Sequence, residues 1–285
     1  MKTSNKLLTG LAIALLIIPL TVMILIAKAN RIDNKTYDKM LTGAETTDSD
    51  VDRFITKYPV QAFQHVVING SESSFLNIKI IANDKFLFKA TNDLAPYIEY
   101  KVDKDGKLNI SLKEERNYQH GTLLIFSPNL KGITFNNVSV DALAVNTDSL
   151  NVEITKGVNF RFGEDMKVKN LHLVKKTIYQ QQDVVIPGIT IEDAKIENLH
   201  ADITAGYLTV NNTPLLNADL KLKDAKAEFK NEENKNIGPI ETLSLNSMGK
   251  NDVNFQHIKI NKASGNLSDE TSIQIPTVNL KQLIK

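Results

Sequence analysis

The feature that most constrains this chain is a stretch, residues 130–210, in which apolar and polar side chains alternate. The polar positions are mainly Thr, Asn, Ser, Lys and Glu, so each segment would have one apolar and one polar face at period two. This period is typical of β-strands and not of helices. The apolar positions are Ile133, Phe135, Val138, Val140, Leu150, Val152, Ile154, Val158, Phe160, Phe162, Ile189, Ile191, Leu208 and Val210.

Strand starts recur near residues 133, 150, 168, 189, 208, 220, 243, 258 and 273. Their mean spacing, about 17–18 residues, lies within the range of one coil of a β-solenoid. A single short strand of this kind cannot bury its apolar face, whereas stacked coils share one narrow core. Asn136-Asn137 and Asn211-Asn212 suit the corners, because Asn accepts left-handed backbone angles. We therefore predict an all-β fold, a β-solenoid or parallel β-helix-like stack preceded by an N-terminal transmembrane helix. The spacing of apolar residues over Ala194–Ala201 leaves a pentapeptide-repeat solenoid as a second interpretation.

The N-terminal region contains an uncharged run, Leu7–Ala27, of 21 residues. As a helix it would be roughly 30 Å long, enough to cross a bilayer core. Ala27-Lys28-Ala29 has the form of a signal-peptide processing site, but the apolar run exceeds the roughly 7–15 residues of a signal-peptide core. We predict a membrane anchor or signal segment over 1–29, a polar linker over 30–62 and a β-helical domain over 63–285.

Two features of the sequence give opposite predictions for the orientation of this helix in the membrane. Lys2 and Lys6 precede the apolar run, whereas four basic residues follow it between 28 and 39, so positive charge alone would place the C-terminal part in the cytoplasm. A basic start followed by a long apolar run is, however, how export signals begin. We predict a single-pass protein of the bacterial inner (cytoplasmic) membrane, with the β domain in the periplasm or outside the cell.

Composition excludes several classes of function. The chain has no Cys, which excludes disulfides, thiol chemistry and Cys-ligated zinc. Its formal net charge of +1 gives no electrostatic reason to expect a nucleic-acid partner. Walker-type, dinucleotide-binding and Gly-x-Ser-x-Gly motifs are absent from the sequence. We predict no catalytic residue, no cofactor and no metal site.

Two acidic runs were weighed as cation sites. Asp48–Asp52 has the spacing that opens a calcium-binding loop, but Arg53 and Pro59 stand where that loop needs Gly and Glu. Asp103–Asp105 lies between two alternating segments and is explained by a turn. We therefore predict that the first run belongs to the linker and that the second belongs to a hairpin.

The five histidines show no metal-binding spacing; they are His65, His120, His172, His200 and His257. His172 and His200 each follow a Leu and occupy polar-face positions. They could stack if about one and a half coils separate them. A surface role is the alternative to a site.

An enzyme of the polysaccharide-cleaving β-helix type would need two or more carboxylates on one outer face. The residues that could supply them are Glu192, Asp193, Glu197 and Asp202, with Lys195 beside them. Charged side chains are expected on the solvated face of a strand in any case. Phe160 and Phe162 flank Arg161 and could form a sugar-stacking platform, although rings two residues apart in a strand normally enter the core together.

Four segments carry a resemblance to a known family: His65–Gly70, Leu76–Ile80, Val102–Ile110 and Leu124–Leu130. They resemble the opening strands, the Asp-Gly-x-Leu-x-Ile hairpin and the Pro-x-Leu entry of the putative auto-transporter adhesin head GIN domain family. The similarity covers roughly residues 63–230. It implies β-helical coils and an exported bacterial protein, and it supplies no catalytic residues.

Three functions are compatible with these observations. The first is a membrane-tethered, non-catalytic module for binding, adhesion or structure, which contacts a partner protein, an envelope glycan or its own copies. The second is a polysaccharide-active β-helix enzyme of the cell envelope. The third is a membrane-anchored scaffold that assembles with itself. A cluster of exposed carboxylates within one groove would favour the second over the first.

Overall fold

A computed structural model of the 285-residue chain describes residues 3–30, 42–47, 54–71, 73–113, 119–157, 159–176, 188–232, 235, 237–255 and 257–283. The chain divides into two compact units, residues 1–49 and 50–285. In the first unit, helix α1 runs from Thr3 to Asn30. Its 21-residue stretch Lys6–Ile26 is long and apolar enough to cross a membrane. The predicted N-terminal apolar helix is therefore confirmed, and it fits either a single-pass anchor or a signal sequence.

The second unit is built almost entirely of β-strands. The strands are β1 Ile55–Pro59, β2 His65–Asn69, β3 Ser74–Ala82, β4 Leu87–Thr91, β5 Ile98–Val102, β6 Lys107–Leu112, β7 Gln119–Ser127, β8 Gly132–Asn136, β9 Ser139–Lys156, β10 Asn159–Phe162, β11 Met166–Lys176, β12 Gly188–Glu192, β13 Lys195–Thr204, β14 Tyr207–Asn211, β15 Asn217–Lys223, β16 Lys226–Lys230, β17 Ile240–Met248, β18 Asn251–Asn254, β19 Ile260–Asn266 and β20 Thr271–Gln274. A 3-10 helix, Ala95–Tyr97, precedes β5, and helix α2, Thr277–Leu283, follows β20. The prediction of a mostly β chain is confirmed.

The strands pair with partners two positions away in the chain, mainly in parallel. One set, set A, includes β10, β12, β14, β16, β18 and β20, each paired with the next. The other, set B, includes β11, β13, β15, β17 and β19. Strand β9 pairs with set A through its first half and with set B through its second, so that the two sets form one curled sheet.

Antiparallel strands lie at the N-terminal end of this sheet. β1 pairs with β4, and β4 pairs with β7, both antiparallel in set A. In set B, β5 and β6 form the predicted hairpin, with Val102 opposite Leu108. The range 30–62 predicted as a linker thus contains a strand, β1. Its alternating Ile, Lys and Pro residues at 55–59 gave too short a pattern to distinguish a strand from a polar connector.

The core lies between the inward faces of sets A and B. The apolar positions predicted from the alternation over residues 130–210 are buried, apart from Val158, which lies outside the described residues. Aromatic rings extend the contacts between coils: the ring centroids of Phe229 and Phe255 are 4.4 Å apart in a stacked arrangement, and those of Phe135 and Phe160 are 5.7 Å apart. The alternation therefore locates the core correctly.

A charged side chain, that of Lys175, enters this core. Lys175 of β11 is fully buried and stands in register between Ile154 and Ile203. Its Nζ donates hydrogen bonds to the backbone carbonyls of Ala205, at 2.5 Å, and Thr204, at 3.3 Å. Gly206 makes room for it, because a Cβ there would lie 2.7 Å from Nζ. Burial lowers the pKa of Lys175 from 10.5 to about 8.

The turns between strands use left-handed backbone angles where Asn and Asp occur. Asn137 has a φ of 58° and Asn212 a φ of 49°, so both predicted Asn-Asn corners contain such a residue. Gly157 has a φ of 141°, and a Cβ there would lie 2.1 Å from the carbonyl oxygen of Val138. These positions connect consecutive strands of the two sets.

Helix α2 covers the free edge of β19. The side-chain amide of Asn279, 1% exposed, donates to the carbonyl of Ile260 at 2.7 Å. The side-chain oxygen of Gln282 accepts from the N–H of Ala263 at 2.5 Å. These side chains replace the hydrogen bonds that a further strand would make, so the C-terminal segment closes the end of set B.

Candidate binding groove

A groove with a volume of about 750 Å³ lies beside the first residues of the set B strands. We call it the side groove. Residues 146–148, 167–169 and 195–197 form one side of it, and residues 214–216 with 238–239 form the other. Such a volume is typical of sites that bind a small molecule or a short chain segment.

A corner in each coil creates the first side of the groove. At 148–149 and 169–170, two consecutive residues are exposed, so the alternation is interrupted and the chain bends there. Asn170, Asn198 and Asn217 stack at this corner. The amide of Asn198 donates to Oδ1 of Asn170 at 2.8 Å, and that of Asn217 donates to Oδ1 of Asn198 at 2.7 Å. These partners are 28 and 19 residues apart, which reflects coils of unequal length.

The corner also accounts for the spacing that suggested a pentapeptide repeat. Ile196 and Leu199 are both buried, 2% and 1% exposed, although they are three residues apart. The bend at Glu197–Asn198 lets both side chains enter the core from a strand that otherwise alternates at period two. The five-residue interpretation is therefore wrong over Ala194–Ala201.

The opposite side of the groove is apolar and is formed by residues outside the strands, 214–216 and 238–239. Leu215 is 4% exposed, whereas its neighbour Leu216 is 50% exposed on the rim. The N–H of Leu216 donates to the carbonyl of Glu197 at 2.8 Å, and the carbonyl of Leu216 accepts from Glu241 N–H at 2.9 Å. Pro214 and Pro239 complete this apolar side. A ligand in the groove would thus contact aliphatic surface here.

Charged side chains line the strand side of the groove. Lys169 lies 2.7 Å from Asp148, and this hydrogen bond and the charge of Asp148, with a smaller effect of Glu197, raise the pKa of the Lys169 ammonium. Lys167 and Lys195 are adjacent in the parallel register of β11 and β13. Neither has an ion pair among the described residues. Two neighbouring ammonium groups without a carboxylate partner favour an anionic ligand.

The strand edge at the groove is only partly paired. β13 pairs with β11 from Lys195 onward, but with β15 only from Asn198 onward. Two backbone hydrogen bonds bracket the gap: Asp193 N–H donates to Asn211 at 3.1 Å, and Leu216 N–H donates to Glu197 at 2.8 Å. Between them, the described chain has no backbone hydrogen bond from residues 194–196 to residues 212–215, and of residues 194–196 only Lys195 is exposed, since Ala194 and Ile196 are 0% and 2% exposed. A strand with a neighbour on one side exposes alternate N–H and C=O groups.

The histidines predicted to stack do so on the outer face of set B. His172 and His200 are register partners, with ring centroids 6.3 Å apart in an edge-on arrangement. His200 Nδ1 lies 3.3 Å from Oδ2 of Asp219, the next residue in the same row. A smaller depression of about 290 Å³ lies over this row. His120 instead stacks on Phe75, with centroids 5.1 Å apart. No group of three or more potential metal ligands converges among the described residues.

The carboxylates weighed as a catalytic row are distributed over different places. Glu197 lines the side groove, together with Lys195. Asp202 lines the depression over the histidine row. Asp193 forms an ion pair with Lys235 in the turn before β13. Only one of the four therefore lies in the groove, and the clustering that an enzyme would need is not observed for these residues.

Two further candidates have structural explanations. Phe160 and Phe162 are fully buried and Arg161 is exposed, so the idea of a sugar-stacking platform is wrong and the pair belongs to the core. Asp103 Oδ1 accepts hydrogen bonds from the N–H groups of Lys107 and Asp105, and the Lys107 bond, the largest effect, lowers the pKa of Asp103. The predicted turn is confirmed. The run Asp48–Asp52 lies outside the described residues.

No protein-family profile and no curated protein sequence matches this chain. Solved structures with a similar course include a putative adhesin from Parabacteroides merdae, at 14% identity and a TM-score of 0.48, covering 77% of this chain and 92% of that one. A putative adhesin from Bacteroides fragilis has 16% identity and a TM-score of 0.48 over 77% and 91% of the two chains. A putative lipid binding protein from Parabacteroides distasonis has 15% identity and a TM-score of 0.45 over 77% and 92%.

Proposed function

We propose that this chain is a membrane-tethered, non-catalytic binding module whose side groove holds a segment of a partner. The observation that carries the proposal is the groove itself: about 750 Å³ with an apolar side, a charged side and two lysines without an ion-pair partner in the described chain. This combination of aliphatic surface and few polar groups is typical of a binding site. The separation of Glu197, Asp202 and Asp193 supports binding rather than glycan cleavage.

The module would be a β-solenoid of residues 63–285 with β1 added beside β4, joined to its anchor by the part of residues 30–62 that precedes β1. The support is the regular alternation of strands between sets A and B, with each strand paired in parallel with the strand two positions later. Stacked Asn170, Asn198 and Asn217 are the kind of ladder that repeated coils produce.

The anchor would be helix α1, residues 1–29 in the predicted division of the chain. Its apolar side chains are exposed, as Leu7 at 71% and Leu16 at 69% illustrate, and exposed aliphatic surface is stable in a bilayer and not in water. The helix would span the bacterial cytoplasmic membrane once, with the solenoid in the periplasm or outside the cell.

A distant relation to the GIN domain proteins is part of the proposal. The motifs that carry the resemblance fall on β2, β3, the β5–β6 hairpin and β7, which are the first parallel and antiparallel strands of the stack. Their placement on strands near the N-terminal end of the sheet supports this relation.

The test is site-specific photo-crosslinking in cells that express the full chain. A p-benzoylphenylalanine at position 216, on the groove rim, should give a discrete product. The matched position is Met248, an exposed apolar residue outside the groove, at 65% exposure. We expect no such product from position 248 and loss of the 216 product when Lys167→Glu and Lys195→Glu are added. Identical products from 216 and 248, or none from 216, would contradict a binding role for the groove.

A further inference from the structure

We infer that the side groove binds the C-terminal end of a partner peptide, with the terminal carboxylate at Lys167 and Lys195 and the last apolar side chain against Leu216. This inference rests on the proposed function and specifies its ligand. It combines three features of the groove: an unpaired strand edge, main-chain closure at both ends of that edge, and an unneutralised pair of lysines.

The unpaired edge favours a peptide over other ligands. Lys195, the exposed residue of this edge, pairs with β11 on one side and has no backbone partner from residues 212–215 on the other. Pro214 lacks an N–H and cannot complete the ladder from that side. A peptide in extended conformation supplies the missing donors and acceptors, as in recognition by strand addition. The acyl chain of a lipid supplies neither.

The closure of the edge favours a chain end. The hydrogen bonds from Asp193 to Asn211 and from Leu216 to Glu197 connect the two sides before and after the gap. Within this gap only Lys195 is exposed, so the open edge is one residue long, about 3.4 Å of extended chain. A strand passing through would have to cross one of these main-chain bonds. The terminal residues of a peptide can enter from the surface and stop.

The charges select the carboxyl end over the amino end. Lys167 and Lys195 lie side by side and have no ion pair in the described part of the chain. The pKa of Lys169 is raised by its pair with Asp148 and, less strongly, by Glu197, which also lines the groove. A carboxylate next to the lysine pair is therefore attracted, whereas an ammonium group is repelled.

The apolar contact comes from the opposite side of the groove. Leu216 is half exposed although its neighbour Leu215 is buried, and Pro214 and Pro239 flank it. An aliphatic terminal side chain, such as Val, Ile or Leu, would cover this surface. The expected ligand is thus a peptide that ends in an aliphatic residue with a free carboxylate.

The experiment uses the full chain in zwitterionic nanodiscs and fluorescence anisotropy. The probe is the fluorescein-labelled peptide Gly-Ser-Thr-Ile-Val with a free carboxylate, compared with its C-terminal amide. We expect saturable binding of the free acid and binding of the amide weaker by about tenfold, the loss that one well-placed charge contact produces. Lys195→Glu should weaken the free acid similarly. Lys223→Glu, an exposed lysine of β15 outside the groove, should leave affinity within about a factor of two.

Three outcomes would overturn the inference. They are no saturable binding of the free acid up to about 1 mM, equal binding of acid and amide, and equal effects of Lys195→Glu and Lys223→Glu. A second arm uses dihexanoyl phosphatidylglycerol, a water-soluble anionic lipid. Binding of this lipid that depends on Lys195, without peptide binding, would assign the groove to a lipid and also overturn the inference. If the crosslink from position 216 persists in any of these cases, the groove still binds a partner and only the ligand class fails.

Discussion

The buried Lys175 predicts an unusual rise of stability with pH. The folded chain holds this ammonium with a pKa of about 8, against 10.5 in the unfolded chain. Between these values the unfolded state binds a proton that the folded state does not, so the free energy of unfolding increases with pH. Each pKa unit corresponds to about 1.4 kcal/mol, which gives a total rise of about 3 kcal/mol between about pH 8 and pH 10.5. The same stability is lost as the pH falls from 10.5 to about 8, and below pH 8 this group causes no further change because both states are protonated.

The control is Lys175→Met, which keeps most of the buried volume and removes the titrating group. Without Lys175 Nζ, the carbonyl of Ala205 loses a donor at 2.5 Å, at a cost of about 1–3 kcal/mol. This loss offsets the gain from removing a buried charge near neutral pH, so we expect the two proteins to differ there by less than about 2 kcal/mol. Above pH 9 the wild type should become the more stable of the two.

Other groups limit the useful range but are shared by both proteins. Hydrogen bonds to carboxylates raise the pKa values of Lys169, Lys226 and Lys235, and burial raises the pKa of Tyr58. A raised pKa contributes stability that is lost as the pH passes above it, so these groups act in the opposite direction at the alkaline end. The difference between wild type and Lys175→Met removes their effect.

The assay is urea unfolding of the full chain in detergent, followed by far-ultraviolet circular dichroism at several values between about pH 7 and pH 10. The quantity of interest is the difference in unfolding free energy between the two proteins. An increase of about 3 kcal/mol in favour of the wild type is expected. A difference that stays constant with pH would refute the depressed pKa and the burial of Lys175 in the folded chain.

Three further substitutions test the stack. Phe160→Ala should destabilise the β domain by about 3–5 kcal/mol, because the ring is fully buried. Arg161→Ala, on the exposed side of the same strand, should change the urea midpoint little. Equal effects of the two substitutions would contradict the burial pattern. Asn198→Ala removes one hydrogen bond to Asn170 and one to Asn217 and should lower the free energy of unfolding by about 1–2 kcal/mol in the same assay. An unchanged free energy of unfolding would contradict a stabilising role for the Asn ladder. Asn279→Ala should cost about 1–3 kcal/mol and speed amide exchange in β19 selectively; uniform exchange would argue against edge capping by α2.

The strands and the core could be predicted from the sequence because alternation is a local signal. The spacing of Ile189 and Ile191, and of Leu208 and Val210, indicates from a few neighbouring residues which side of each strand faces the core. The structure buries all four side chains. The contact of His172 with His200 was predicted only in part: both follow a Leu on the polar face, but they lie on adjacent strands and not one and a half coils apart.

The corners and the groove could not be predicted in this way, because they depend on which coil lies above which. The bend at Glu197–Asn198 is visible only when Asn198 meets its partners 28 and 19 residues away. Lys175 looks like a surface residue until Gly206, in another coil, is seen to make room for its Nζ. The groove has one local sign in the sequence, the segment Pro214-Leu215-Leu216, where two adjacent leucines interrupt the alternation.

The cover that α2 provides over β19 gives the β domain a defined length. Ten described strands, from β5 to β19, make up set B, and neighbouring strands in a sheet are about 4.8 Å apart, so the stack measures about 40 Å from end to end. With Asn279 and Gln282 occupying the edge of β19, a second copy cannot continue this row of strands at that end. A contact between two copies at the β19 end would therefore have to use side chains instead of main-chain hydrogen bonds.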